Sequence, residues 1–157
     1  MVGKLGIAIL ILLVSSVARA DGRDAALLSP FTAMEKAIRG GDEKLFKAQW
    51  MAEGYDANLV GGSGNTGASM FKQGSRKKWF PRPDVSKATV LADGAAVIVP
   101  AEIFSWEKSK SVDRVDVLLV KTAAGYMVLG AGEKRAQIEA LAERWQKKQP
   151  LAPAAEK

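Results

Sequence analysis

The apolar residues of this chain change their spacing near residue 85, and that change bounds the fold. Before it they recur at three and four residues. Phe31, Met34, Ala37 and Ile38 share one face, and Leu45, Phe46, Gln49 and Trp50 another. From Val85 the period becomes two. Val112 to Lys121 alternates across a strand, with Asp113, Val115, Val117 and Leu119 on one side and Arg114, Asp116, Leu118 and Val120 on the other. After Gly132 the helical spacing returns, with Ile138, Leu141 and Trp145 on one face. A chain patterned as helices, then strands, then a helix is α+β. The expected architecture is three N-terminal helices packed on a curved four-stranded antiparallel sheet, plus a C-terminal helix.

Local signals place the boundaries. Ser29-Pro30 reads as an N-cap and first helical position, and Gly40-Gly41 as a stop. Asp42 caps a second helix that Gly54 ends. Asn65 or Thr66 caps a third, ending near Gly74. Ser75 to Asp84 carries two prolines and reads as a non-helical connector. Strands are expected over Val85 to Leu91, Ala95 to Trp106, Val112 to Lys121 and Tyr126 to Ala131. Pro100 argues for an edge position or a bulge. The last helix is expected over Glu133 to Lys147, with a disordered tail over 149–157.

The first twenty residues read as an export signal. Lys4 supplies a basic start, Leu5 to Val14 an apolar run, and Ala18-Arg19-Ala20 a small-x-small cleavage site. The run has about half the ~20 residues a spanning helix needs. Residues 1–20 are therefore expected to be removed, residues 21–28 to form a flexible lead, and 29–148 to form one domain. The expected location is periplasmic or secreted. Loss of Lys4 and Arg19 takes the formal charge from +6 to +4. That is compatible with an anionic envelope surface and too weak for nucleic-acid binding.

The chain has no Cys and no His. Disulfides, thiol nucleophiles, imidazole bases and the usual transition-metal ligands are thereby excluded. No metal site and no cofactor is expected. Any chemistry must come from carboxylates, Lys, Tyr, Ser or Thr.

The segment from Phe31 to Trp50, with Gly40-Gly41-Asp42 between its helices, resembles the opening helical hairpin of the NTF2-like superfamily. The hairpin Arg114 to Lys121 and Gly125 to Leu129 is similar to the paired long strands of that superfamily. The resemblance covers most of Phe31 to Ala131. It implies a cone-shaped α+β fold with a pocket between sheet and helices, shared by ketosteroid isomerases, polyketide cyclases and binding domains. Two departures stand out. Only Tyr55 to Val60 could supply the strand that usually separates the second and third helices, and the C-terminal helix is additional. The resemblance carries over no catalytic residue.

Several constellations compete with plainer readings. Gly62-Ser-Gly-Asn-Thr-Gly67 matches G-x-G-x-x-G, but no buried strand precedes it, so a glycine turn is expected. Arg76, Lys77, Lys78, Trp79 and Arg82 could dock on an anionic surface; alternatively Trp79 and Phe80 anchor the segment and the cations are solvated. The glycine loop and the third helix's N-terminus could join these cations in an anion site. Asp113 and Asp116 are three apart on a strand and should face opposite sides. Glu102, on the face of Phe104 and Trp106, and Asp116 are the carboxylates that burial could turn into an acid or base, with Tyr126 as electrophile. Trp50, Phe71, Trp106, Tyr126 and Trp145 line either an apolar pocket or the core. The expectation is a non-enzymatic binding or accessory domain for a small apolar or amphipathic ligand or a protein partner. The alternatives are a small isomerase or hydrolase and a peripheral envelope protein.

Overall fold

A computed structural model describes the backbone of residues 3–152 and the side chains of residues 22–152. The leader reading falls on residues whose side chains lie outside those described, and so does residues 153–157 of the expected tail. Among the described residues no helix is long and apolar enough to cross a membrane.

The fold is α+β, with helices first, a curled antiparallel sheet next and a helix last. Helix α1 spans Gly3–Gly40 and passes through Pro30, where the sequence places a start. A proline inside a helix removes one hydrogen bond and costs about 3 kcal/mol. Leu27 and Phe31 are buried on either side of Pro30, and burying two such side chains returns roughly 1.5–3 kcal/mol each. The expected flexible lead is thus corrected near its end: residues 22–28 are helical and Leu27 belongs to the core. The stop at Gly40 is as read. Gly41 takes φ +69° and the Asp42 N–H donates to Ala37 O at 2.8 Å.

Asp42 then caps α2 (Glu43–Lys47) by accepting from the Leu45 N–H. The second expected helix breaks here instead of running to Gly54. After a turn at 48–49, Trp50 forms an isolated parallel bridge with Val128: Val128 N–H donates to Gln49 O, and Met51 N–H to Val128 O, both at 2.8 Å. Helix α3 (Ala52–Asp56) follows. The segment from Tyr55 to Val60 forms no strand; Leu59 and Val60 pack into the core. Helix α4 (Gly67–Lys77) is capped by Thr66, whose Oγ1 accepts from Ser69 N–H at 3.0 Å. It runs past Gly74 and stops at Lys78, which adopts the left-handed conformation.

Strand β1 (Trp79–Pro83) replaces the expected connector. It lies antiparallel to β3 (Ala96–Ser105), and β2 (Thr89–Leu91) lies farther along the same edge of β3. The prolines are tolerated because bonding falls on the alternate residues. Lys78 O accepts from Trp106 N–H and Asp84 N–H donates to Pro100 O, so Pro81 and Pro83 turn their missing donors outward. Pro100 is not on an edge strand, since β3 is flanked on both sides. It sits where β1 has ended and β2 has not begun, so its missing N–H disturbs no ladder. Strands β4 (Lys110–Thr122) and β5 (Gly125–Gly132) complete the order β1-β3-β4-β5. Helix α5 covers Arg135–Gln146.

The strand alternation divides the core in two. Val97, Val99, Val117 and Leu119 pack with Phe31, Met34, Phe46 and Met70 of α1, α2 and α4. Ala96, Ile98, Leu118 and Val120 pack with Ile138 and Leu141 of α5. The second helical layer covers only the lower half of the strands. On the α5 face the part of β3 and β4 around Glu102 and Arg114 therefore remains open to a cleft.

Candidate functional site

Helix α4 makes the main cleft. It is seated tightly at both ends by glycines. A Cβ on Gly67 would lie 2.7 Å from the Trp50 ring, and one on Gly74 2.7 Å from Trp79 O. Between them Met70, Gln73 and Lys77 form an i, i+3, i+7 stripe over the upper sheet. The result is an open cleft of about 700 Å³ between this stripe and the ends of β3 and β4. Met70, Ile103, Ser105 and Val115 are its buried floor, with Trp79 at one side. Its rim is polar: Ser63 and Asn65 from the glycine loop, Lys108 from the β3–β4 turn, Asp113 from β4, and Glu133 after β5. Its volume is that of a small-molecule site, and its lining is mixed, with eight of the thirteen residues polar or charged.

A second cleft, of about 500 Å³, opens on the other face of β3 and β4. It is charged, and all its charged side chains except Glu133 are paired among the described residues. Arg82 lies 2.9 Å from Glu102 and stacks 4.1 Å over the Phe104 ring. Asp116 lies 3.3 Å from Arg135, whose guanidinium also donates to Glu139 and to Thr89 Oγ1. Lys87 pairs with Asp84, whose carboxyl is held below its ordinary range first by the Ser86 hydroxyl.

The sequence candidates are dispersed over this frame. Glu102 and Asp116 line the same cleft, each beside an arginine. Tyr126 is not with them. It pairs with Lys121 at the opposite end of β4, and its hydroxyl donates to Gly94 O at 2.6 Å. Asp113 opens into the main cleft and Asp116 into the charged one, so the two carboxylates do face apart. Among the described residues no three carboxylates gather to hold a metal ion.

The basic-aromatic segment divides in the same way. Arg76 lines a shallow groove with Glu43 and Phe71, Lys77 lines the main cleft, and Lys78 forms the helix cap. All three are exposed, while Phe80 is buried and Trp79 half-buried. They sit at the C-terminal end of α4, about 16 Å along an 11-residue helix from the glycine loop. Arg76 and Lys78 therefore lie away from the helix N-terminus, and Lys77 shares the main cleft with Ser63 and Asn65 of the loop. The glycine loop turns through Gly61 and Gly62, both at positive φ, and Asn65 N–H donates to Ala131 O.

Of the aromatics read as a possible pocket, none lines the main cleft. Trp50 is 3% exposed in the core, and Phe71 packs 5.3 Å from Phe46. Trp106 stacks on Phe80 beneath the Arg39 guanidinium, which lies 5.0 Å above it. The cleft is built instead from Met70, Gln73, Ile103, Ser105 and Val115, none of which stands out by residue type. Their signal was spacing: the α4 stripe and the alternation 103, 105. Comparison with family models, curated proteins and solved structures yields no match to this chain.

Proposed function

We propose that this chain is an exported, non-catalytic domain of NTF2-like cone shape that binds a small apolar or amphipathic molecule between α4 and the sheet. One observation carries the reading: the concave cleft of about 700 Å³ has a buried apolar floor and a polar rim contributed by four separate segments. The candidate catalytic groups argue the same way. Glu102 and Asp116 are committed to arginines, and the Tyr126 hydroxyl to a backbone carbonyl. Removal of residues 1–20 leaves Leu27, Phe31 and Met34 to anchor α1, so processing is compatible with the core.

The test is a titration of the chain with octanol, followed by amide chemical shifts. Shifts centred on Met70, Gln73, Ile103 and Val115 are expected, and they should vanish in Val115→Trp, which fills the floor. Absence of shifts there, or shifts confined to another surface, would refute the reading. Export has its own check. Mass spectrometry of the protein from its native envelope should give Asp21 as the first residue, and recovery of Met1 would refute it.

A further inference from the structure

We infer that the ligand of the main cleft is an amphipathic carboxylate, its head at the end marked by Lys77 and Lys108 and its apolar body over the floor. The inference rests on the binding reading above and adds the ligand's charge and orientation.

Three groups converge on one end of the cleft. Ser105 is 2% exposed, and its Oγ accepts the Lys108 N–H at 3.2 Å. A hydroxyl also carries one donor, and among the described residues no acceptor receives that of Ser105. That donor is free to meet an acceptor on a molecule bound in the cleft. Lys77 comes from the last turn of α4 and Lys108 from the turn that follows Ser105. Trp79, two residues after Lys77, pairs with Ser105, which brings the helix end and the turn to the same place. Neither lysine forms an ion pair among the described residues, although Arg39, Arg82, Lys87, Arg135 and Lys147 all do.

Asp113 and Glu133 also line the cleft and form no ion pair among the described residues. Asp113 pairs with Ile103, two residues from Ser105, so Lys77, Lys108 and the Ser105 hydroxyl must hold the carboxylate head against the repulsion of these two carboxylates. Met70, Trp79, Ile103 and Val115 offer the apolar floor for the body. One hydroxyl donor and two exposed ammonium groups lining the same cleft suit the two oxygens of a carboxylate.

The experiment compares four probes of equal chain length by calorimetry: octanoate, octanol, octylammonium and octyl phosphate. Octanoate is expected to bind about tenfold tighter than octanol, the gain of a charge-assisted contact at a wet rim. Octylammonium should bind more weakly than octanol. The double variant Lys77→Gln/Lys108→Gln should lose the octanoate preference and keep the octanol affinity. Both lysines are exposed, and circular dichroism would confirm that the variant folds. Equal binding of octanoate and octanol, or an unchanged preference in the variant, overturns the inference and leaves the cleft reading standing. Octyl phosphate binding more tightly than octanoate overturns the carboxylate assignment. Failure of every probe to shift the floor residues refutes the cleft reading itself.

Discussion

Arg135 of α5 reaches across the sheet face to Asp116 of β4, placing its Nη1 3.3 Å from the carboxylate. The same guanidinium donates to Thr89 Oγ1 of β2 at 2.6 Å and to Glu139 at 3.2 Å. One side chain thus ties the last helix to a three-residue strand and to the middle of β4. Asp116 has a side chain only 17% exposed, so loss of its partner leaves a carboxylate largely out of water. Arg135→Ala should lower stability by about 2 kcal/mol, below the cost of breaking a fully buried pair because Arg135 is itself one-third exposed. Urea denaturation followed by circular dichroism measures this. A loss under a few tenths of a kcal/mol would mean the contact is an ordinary surface pair.

Gly54 packs where no side chain fits. A Cβ there would run into the Leu129 carbonyl, which belongs to β5 and cannot turn aside. Gly54→Ala should therefore push α3 off the sheet and cost about 3 kcal/mol or more. Gly40→Ala is the control. Nothing lies within 4 Å of its added Cβ, and alanine is the better helix former by about 0.8–1 kcal/mol. Thermal melts should move in opposite directions for the two variants. A Gly54→Ala melt equal to the parent would show that α3 does not sit against β5.

The strand pattern was legible because alternation survives whatever covers each face. Val97 and Val99 go to one core and Ala96 and Ile98 to the other, so β3, β4 and β5 could be read without knowing the helices. Strand β1 was not legible. Pro81 and Pro83 signal a loop, and only the neighbouring strand reveals that the bonding falls on the residues between them. The early end of the second helix is hidden for a related reason. Nothing near Trp50 predicts that residue 128, far along the chain, will take its backbone into a sheet. For the cleft, residue type misled. Aromatic rings mark large buried volume, and here that volume went into the core and beneath Arg39. The cleft depends on how α4 sits over the ends of β3 and β4, a tertiary fact no local window contains.

Tyr55 donates its hydroxyl to Glu43 Oε1 at 2.8 Å. Burial first, and then this bond to a carboxylate, push the tyrosine up to about 12 from 10.0. The folded state therefore keeps its proton where the unfolded chain has lost it. Stability from this group is complete below pH 10, falls as pH rises, and is gone above about 12. The loss should be on the order of 2 kcal/mol. Tyr55→Phe removes the titration, so the stability difference between parent and variant should narrow over that range. Tyrosinate absorbance should show a late-ionising tyrosine that is lost in Tyr55→Phe. Ionisation of Tyr55 at the ordinary value would remove the predicted alkaline dependence.

Tyr126 separates a structural role from a catalytic one. Its hydroxyl donates to Gly94 O at 2.6 Å, closing a turn in which Ala92 and Asp93 both hold positive φ. Two non-glycine residues in that region carry backbone strain of order 1–3 kcal/mol each unless neighbours fix them. Tyr126→Phe frees the turn and leaves a carbonyl unpaired, which should cost about 1 kcal/mol. The ring and its packing remain, so the loss should be confined to the 92–95 turn and visible as faster amide exchange there. The main cleft lies at the other end of the strands, so octanol affinity should be unchanged. An electrophile would behave otherwise: its loss would abolish turnover or weaken ligand binding while the turn stayed protected. That outcome would return Tyr126 to the active-site reading and put the pocket at the wrong end of the sheet.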